Sequence, residues 1–468
     1  MTSETSFASL PLDLLPSLLS PVTRRSDLYH LALVCREWNG VATRLLYQHI
    51  RFFGRDLQVT PLLFRTLSES APHCSLIRTL EMRVYPISLI VKERLEMERQ
   101  AVEILRAAVN LRELRWTRKG ALTDRVLEAI RELPKLEVFE LNAHTNLSPG
   151  SWDAEHLLHL PRLRSLSLIL PDRNVASFLP AILAHQSERS GVGLEELTIL
   201  SRESPVINDQ VLNACYPALS HSGLTNLALA GCSKLSGGPL LRLLPTLRLQ
   251  HLALEATNIQ PDFYTSAAPH LSSLVSLKVT HPGPRHPSLA AFFPSLTTLL
   301  QKTPRLLAFT VYHSGTSGMT GIREWPVADV SFIAALSAAV GGQLERFECS
   351  GVLIRMDAVE QLTAPKLRDL VIHIGHDLDL ARLAVALATF RNLNTLHVMA
   401  QRTDVSYEDV CWLAMQISPT LTQIGFRNQV WLIRREAEEG SLDAPMVRIR
   451  LDRWDRPWWP EQLLVIRT

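Results

Sequence analysis

Histidine pairs and a glycine-rich run are the residues whose spacing could serve metal or phosphate chemistry. His156 and His159 lie one helical turn apart, but zinc sites normally have a third protein ligand, and Glu155 is adjacent to His156 rather than a turn away. The glycine-rich range 315–322 lacks the Lys-Ser/Thr pair of a phosphate-binding loop. The sequence therefore predicts neither a metal site nor a nucleotide site at these positions.

The sequence also gives little indication of a catalytic nucleophile. His373 and His376 flank Gly375 at a predicted strand end, where a packed or surface role is favoured over a ligand role. Cys35 falls in a predicted helix, where packing explains it better than nucleophilicity. No Gly-x-Ser-x-Gly elbow occurs. We predict that the chain is not an enzyme and has no cofactor, with hydrolase or transferase activity as the distant alternative.

Composition favours a large folded protein with a neutral surface. The chain has 468 residues, more than the roughly 250–300 that one hydrophobic core supports, so it needs several domains or a repeat array. Its 48 Lys and Arg nearly balance its 46 Asp and Glu, which gives no overall electrostatic signature of nucleic-acid or membrane binding. Neither a signal peptide nor a membrane span is predicted. We expect an intracellular protein, cytoplasmic or nuclear, whose six scattered cysteines are buried small apolar residues.

An apolar pattern, Leu-x-x-Leu-x-Leu, recurs along most of the chain. Its spacing averages about 29 residues, at the upper end of the leucine-rich-repeat range. The first apolar residues of the thirteen units are Ile77, Leu111, Leu136, Leu163, Leu194, Leu224, Leu249, Leu274, Leu306, Leu344, Leu367, Leu393 and Leu421. The motif alone is weak because apolar residues are common, so a second signal is needed.

Proline supplies that signal, since it lies two positions before the first apolar residue in five units, at Pro134, Pro161, Pro304, Pro365 and Pro419. Proline cannot continue a helix and favours an extended predecessor, so it marks the loop from one helix to the next strand. We predict an α/β leucine-rich-repeat solenoid, with parallel strands on the concave face and helices outside. An irregular all-helical solenoid is the alternative.

The N-terminal region 10–50 lacks the repeat and predicts three short helices. Leucines 14, 15, 18 and 19 form one amphipathic stretch. Ser26 and Asp27 are predicted to cap a second helix that runs through Trp38, and a third helix is predicted to include Ile50. So small a unit carries more apolar side chains than its own core can hold, which indicates a partner surface.

The same region resembles an F-box. The residues that carry the resemblance are Leu10-Pro11, Asp13, the spaced leucines, Asp27-Leu28, Leu33-Val34-Cys35-Arg36 with Trp38, Arg44-Leu45-Leu46-Tyr47 and Ile50. The resemblance implies docking onto the Skp-family adaptor of a cullin–RING ubiquitin ligase. The contacts it implies are Leu10, Pro11, Leu14, Leu18, Leu28, Leu31, Val34, Cys35 and Trp38.

Two alternatives remain open for this region. The helices could be a cap that seals the first repeat, with the apolar face turned toward the solenoid. The chain could also be a leucine-rich binding scaffold with no connection to ubiquitination. The leading hypothesis is a substrate-recognition subunit of a Skp–cullin–F-box ubiquitin ligase.

A protein substrate is expected on the concave face of the late repeats. Residues that flank the inward leucines point to that face, and their mixture of aromatic, basic and acidic side chains suits an interface. The candidates are Tyr312, Arg346, Glu348, Asp369, His373, His397 and Arg427. Simple pairing with neighbouring strands is the alternative explanation of this set.

The predicted organisation has four parts. Residues 1–9 are expected to be a disordered N-terminus, residues 10–54 an all-α F-box of three helices, residues 55–426 the solenoid, and residues 427–468 a C-terminal cap or tail that contains Trp454, Trp458 and Trp459. No nucleic-acid or membrane partner is expected.

Overall fold

Strands and helices alternate along the residues that the computed structural model of the chain describes, which are 12–22, 24–52, 59–83, 91–147, 150–190, 194–282, 288–313, 325–400, 405–427, 429–437 and 447–453. The chain divides into two compact units. The first comprises Met1–Ile199 and Pro217–Ser222, and the second comprises Leu200–Tyr216 and Gly223–Thr468. The predicted four-part domain boundaries remain a prediction.

The first unit begins with helices and continues as strand–helix repeats. Its elements are α1 (Leu15–Leu19), α2 (Arg25–Ala32), α3 (Arg36–Gln48), β1 (His49–Phe52), α4 (Val59–Ser68), α5 (Ala71–Ser75), β2 (Thr79–Met82), α6 (Val91–Ala107), β3 (Glu113–Trp116), α7 (Asp124–Arg131), β4 (Val138–Asn142), β5 (Asn146–Leu147), β6 (Gly150–Ser151), β7 (Ser165–Ile169) and α8 (Arg173–Ser190). Short 3-10 turns at Leu12–Leu14 and Ala154–His159 complete the described elements.

Two elements contain the residues at which the division falls, β8 (Glu196–Asn208) and α9 (Asp209–Leu219). The second unit continues with β9 (Asn226–Lys234), α10 (Gly238–Leu243), β10 (His251–Glu255), α11 (Asp262–Ala267), β11 (Ser276–Thr280), α12 (Leu289–Leu300), β12 (Ala308–Tyr312), β13 (Val327–Ala328), α13 (Val330–Val340), β14 (Arg346–Ile354), α14 (Met356–Glu360), β15 (Asp369–Ile374), α15 (Leu380–Leu387), β16 (Thr395–Ala400), α16 (Tyr407–Gln416), β17 (Gln423–Phe426), β18 (Gln429–Ala437) and β19 (Val447–Arg453).

The thirteen predicted repeats are confirmed. In each of them a strand begins two residues after the first apolar residue, as β3 begins at Glu113 after Leu111. The three apolar residues of every unit are buried, with at most 6% of any of them exposed. Alternation along a strand sends these side chains to one face, where each stacks on its equivalents in neighbouring strands. The all-helical alternative is wrong.

The strands of the repeats pair in parallel, and the register shifts between Cys349 and Leu353 where β14 pairs with β15. In the first unit β1 pairs with β2, β2 with β3, β3 with β4 and β4 with β7. In the second unit parallel pairing runs from β9 through β10, β11, β12, β14, β15 and β16 to β17. The antiparallel strands β18 and β19 follow β17. Each predicted repeat proline lies between the helical segment of one repeat and the next strand, as expected.

The N-terminal helices differ from the prediction at two points. The second helix ends at Ala32, so Ser26 and Asp27 lie inside it rather than at its cap, and Trp38 belongs to α3. Ile50 lies in β1 and not in a third helix. The pattern Tyr47-x-x-Ile50-x-Phe52 is itself a repeat motif, and β1 begins two residues after Tyr47.

The described residues also bear on the cysteines and on membrane insertion. Four cysteines are buried as predicted, but Cys35 is exposed and Cys411 is partly exposed, so the prediction that all six are buried is wrong. Over the described ranges, the helices fall short of the length and apolar character that a membrane span requires. The glycine-rich range 315–322 lies outside the described residues.

Candidate partner-binding surfaces

The corner between α2 and α3 presents two large apolar side chains to solvent, since Leu33 is 67% exposed and Val34 64% exposed. Hydrogen bonds hold the corner in place. The Leu33 amide donates to the carbonyl of His30 at 3.0 Å, and Asn39 Nδ2 donates to the carbonyl of Ala32 at 2.8 Å. An exposed apolar pair on a rigid corner is typical of an interface anchor.

A carboxylate stands next to this corner. Cys35 occupies the position before the first residue of α3, and Glu37 lies in the first turn of the helix. A hydrogen bond from the Cys35 thiol lowers the pKa of the Glu37 carboxyl, and a backbone hydrogen bond adds to the effect. The apolar corner is therefore bordered by a negative charge at the N-terminus of α3, where the helix dipole favours it.

The leucines of α1 and of the turn before it lie in two environments. Leu15 and Leu19 are buried, and α1 contacts α3. Leu14 and Leu18 lie one turn apart, and each is about half exposed. A five-residue helix of this kind is held by its buried face, which leaves the other face available to a partner.

The nine predicted adaptor contacts differ in their exposure to solvent. Leu10 and Pro11 lie outside the described residues. Leu14, Leu18, Val34 and Cys35 are exposed, Leu31 and Trp38 are partly buried, and Leu28 is buried at 5% exposure. Leu28 therefore supports the helices from within and is removed from the contact set.

Two exposed residues were absent from the predicted contacts, Leu33 and Tyr29, which is 57% exposed. The helical spacing of positions 28, 31, 34 and 38 suggested one continuous helix with a single apolar stripe. The helix in fact breaks after Ala32, and neither proline nor glycine marks the break. Periodicity alone could not find these two residues.

The seven predicted substrate contacts lie on consecutive strands of the second unit. They are Tyr312 on β12, Arg346 and Glu348 on β14, Asp369 and His373 on β15, His397 on β16, and Arg427 directly after β17. Four of them are buried rather than displayed, namely Tyr312, Glu348, His373 and His397. Their burial does not fit an open contact surface.

Tyr312 and Lys278 share one buried carboxylate. The Tyr312 hydroxyl donates to Glu255 Oε2 at 2.6 Å, and Lys278 Nζ lies 3.0 Å from the same oxygen. The Lys278 ammonium also lies 5.3 Å from the centre of the Tyr312 ring. Burial and the nearby Glu255 carboxylate raise the pKa of Tyr312, so its hydroxyl remains a donor. Glu348 is also buried, and burial raises the pKa of its carboxyl, while the Ser350 hydroxyl donates to it at 3.2 Å.

Both buried histidines of the set have a lowered pKa. Burial lowers the pKa of His373 to about 4, and its ring lies 4.9 Å from that of Trp325. Burial also lowers the pKa of His397, whose Nε2 lies 2.8 Å from the carbonyl oxygen of Arg427. These contacts indicate packing roles.

Three of the seven residues remain accessible. Arg346 NH2 lies 3.1 Å from Asp369 Oδ2, and both side chains are partly exposed. Arg427 is exposed and has a positive φ of 55°. The accessible part of the predicted substrate surface is therefore this ion pair together with the Arg427 side chain.

The histidine pair considered for zinc has another partner. His156 Nε2 lies 3.2 Å from Asp124 Oδ1 in a neighbouring repeat. Across the described part of the chain, no three His, Cys, Asp or Glu side chains come together in a way that could hold a metal ion. The contact with the Asp124 carboxylate accounts for the position of His156.

Comparison with known protein families decides the nature of the N-terminal helices. The sequence model of the F-box-like family matches residues 7–52. The chain carries an F-box-like domain. The F-box-like domain is followed by the leucine-rich-repeat fold described above, as the recurring apolar pattern predicted.

Solved structures with a similar arrangement share 14% identity with the chain. A chain in the crystal structure of the Rad7 and Elc1 complex in yeast has a TM-score of 0.44, covering 88% of this chain and 91% of that chain. The leucine-rich repeat-containing protein LegL7 from Legionella pneumophila has a TM-score of 0.37, covering 61% and 90%, and the TLR13–ssRNA13 complex has 0.34, covering 75% and 60%. The sequence matches none of the curated proteins with which it was compared.

The F-box-like domain is joined directly to the first repeat. Its last residues form β1, which pairs in parallel with β2. Tyr47 stacks on His73 with ring centres 4.5 Å apart, and Phe52 packs on Phe64 at 4.7 Å. The F-box-like domain therefore contributes a strand to the sheet of the first unit.

Proposed function

We propose that the chain is the substrate-recognition subunit of a Skp–cullin–F-box ubiquitin ligase. The F-box-like domain would bind a Skp-family adaptor, and the repeats would bind a protein substrate. The observation that carries the proposal is the exposure of Leu33 and Val34 on a hydrogen-bonded corner within residues 7–52.

The proposed adaptor surface combines the α2–α3 corner with the exposed side of α1. It comprises Leu14, Leu18, Tyr29, Leu33, Val34 and Cys35, with Trp38 at its border. Large apolar side chains fixed on short helices give a partner anchors that need little ordering on binding. Leu10 and Pro11 remain proposed contacts on the basis of the resemblance.

The remaining steps belong to other proteins of the assembly. Ubiquitin transfer would be catalysed by the other ligase subunits, and this chain would supply binding alone, without a cofactor. The proposed substrate surface includes Arg346, Asp369 and Arg427, the accessible part of the predicted set. We also propose that the protein acts in the cytoplasm or the nucleus.

Co-purification with a Skp-family adaptor tests the proposal. Val34→Asp places a charge in the anchor and is expected to weaken adaptor binding by at least tenfold, on the order of 1.4 kcal/mol or more. Val385→Asp is the matched control, because Val385 lies on α15 in the other unit and is also highly exposed. Equal binding by the wild type and Val34→Asp, or equal loss in both variants, would exclude the proposed surface.

A further inference from the structure

A groove of about 760 Å³ crosses three consecutive repeats of the second unit, at the loops that lead into β10, β11 and β12. This volume lies within the roughly 300–1,000 Å³ typical of ligand sites. The groove is separate from the buried Tyr312 and Glu348 region, and its lining includes neither of these residues.

The groove has a rigid, partly apolar wall. Pro245, Pro269 and Pro304 line it, one from each repeat, and all three are exposed. Hydrogen bonds join neighbouring loops, since the Ser273 hydroxyl donates to the carbonyl of Leu249 at 2.8 Å and the Leu307 amide donates to the carbonyl of Val275 at 2.8 Å. A partner that binds here would meet a surface that is already ordered, which lowers the entropic cost of association.

The charged side chains that line the groove are arginines. Arg248, His270 and Arg305 line the groove and are exposed, and none of its lining residues is acidic. Arg248 and Arg305 form no ion pair with any carboxylate among the described residues. Guanidinium groups that are not neutralised at a groove favour an anionic partner.

Charge is also distributed unevenly along the sequence in this region. Residues 210–313 contain seven Lys and Arg but two Asp and Glu, whereas the whole chain has 48 against 46. One of the two carboxylates, Glu255, is buried and paired with Lys278. The surface of these repeats is therefore positive within a nearly neutral protein, which favours encounter with negatively charged segments.

The distance between Arg248 and Arg305 favours an extended acidic peptide over a single compact anion. Arg248 and Arg305 each lie three residues before a strand, and β11 separates those two strands. Their backbones are therefore roughly 10 Å apart. An extended peptide places alternate side chains on one side at intervals of roughly 7 Å, within reach of two long flexible arginines. Two arginines separated by a whole repeat suit charges spread along a chain better than one compact phosphate.

We propose that this groove binds an extended segment of a partner protein rich in aspartate and glutamate. The inference deepens the proposed function and rests on it, because the partner would be the protein that the repeats recruit. The prolines would contact the peptide backbone and apolar atoms, while Arg248 and Arg305 would each bind a carboxylate.

Fluorescence anisotropy with the full-length chain tests the inference. The probe is a fluorescein-labelled decapeptide of alternating glutamate and serine, compared with the same peptide carrying glutamine for glutamate. The wild type is expected to bind the glutamate peptide, and Arg248→Glu with Arg305→Glu to weaken binding about tenfold or more. Arg248→Gln with Arg305→Gln is a milder variant expected to lose part of the affinity, should the charge reversal disturb folding.

Lys366→Glu with Arg391→Glu is the control, because these exposed cations lie in the corresponding loops of later repeats and carry the same charge. Binding that falls less than twofold in the control supports the inference, and equal losses in both variants overturn it. Failure of the wild type to bind the glutamate peptide would overturn it as well. Tighter binding of a phosphoserine peptide or of oligothymidylate through the same arginines would also refute the acidic-segment assignment. Adaptor co-purification on the same samples separates these failures from failure of the proposed function.

Discussion

Arg51 and Glu81 face each other across β1 and β2, with Nε of Arg51 3.0 Å from Oε1 of Glu81. Glu81 is buried and also lies 3.4 Å from Nε of Arg83. Arg51 belongs to the F-box-like domain, whereas Glu81 belongs to the first predicted repeat. A shielded ion pair therefore adds to the strand pairing that joins the two.

Glu81→Gln is expected to destabilise the protein by about 1–3 kcal/mol, because it removes the buried counter-charge of two arginines while keeping the shape of the side chain. Urea denaturation measures the change. Glu137→Gln is the matched control, since Glu137 pairs with Arg112 across neighbouring repeats but is 46% exposed. A surface pair of this kind is worth roughly 0–1 kcal/mol. If the two substitutions lower the free energy of unfolding by similar amounts, burial of Glu81 does not strengthen its ion pairs.

Tyr312→Phe is expected to cost about 1–2 kcal/mol, because it deprives the buried Glu255 carboxylate of its hydroxyl donor while Lys278 remains. The free energy of unfolding from chemical denaturation provides the readout. Tyr29→Phe makes the same change at an exposed position and should alter stability by less than about 0.5 kcal/mol. If Tyr312→Phe leaves the free energy of unfolding unchanged, Lys278 alone is a sufficient partner for the Glu255 carboxylate.

Two glycine substitutions are expected to change the stability of the protein in opposite directions. Gly351 has a φ of +68°, and an added Cβ would lie 2.3 Å from the carbonyl oxygen of His313, so Gly351→Ala should destabilise by more than about 2 kcal/mol. Gly40 lies inside α3, and a Cβ there would meet nothing within 4 Å. Gly40→Ala should therefore stabilise the protein by about 0.5–1 kcal/mol. Thermal denaturation of both variants tests the prediction. A change of melting temperature in the same direction for both variants would contradict it.

The stability of the protein is expected to fall as the pH is lowered from about 6.5 toward about 4. Burial lowers the pKa of folded His373 to about 4, below the ordinary histidine value, so the unfolded chain takes up a proton first in this interval. The contribution of His373 to the stability of the folded state is fully present above about pH 6.5 and decreases toward pH 4. His373→Phe removes this titration and should flatten the dependence of the urea midpoint on pH. Identical pH profiles for the variant and the wild type would rule out a contribution from His373.

The repeats could be predicted because burial follows a local pattern. Every strand of the thirteen units begins at the expected residue, since an apolar triplet such as Leu163, Leu166 and Leu168 has one way to bury all its members in a parallel sheet. The unit that begins at Tyr47 was missed because its aromatic first residue and its position after a helix hid it within the F-box resemblance.

The register of the repeats and the F-box-like character of the N-terminal region could be predicted, because both depend on the order of apolar residues along the chain. Which side chains of those elements reach solvent became known from the folded structure alone. Tyr312 and Glu348 alternate with inward residues as surface residues would, yet neighbouring strands bury them, and the break after Ala32 exposes Leu33. Exposure depends on contacts between residues far apart in sequence, and no local pattern encodes those contacts.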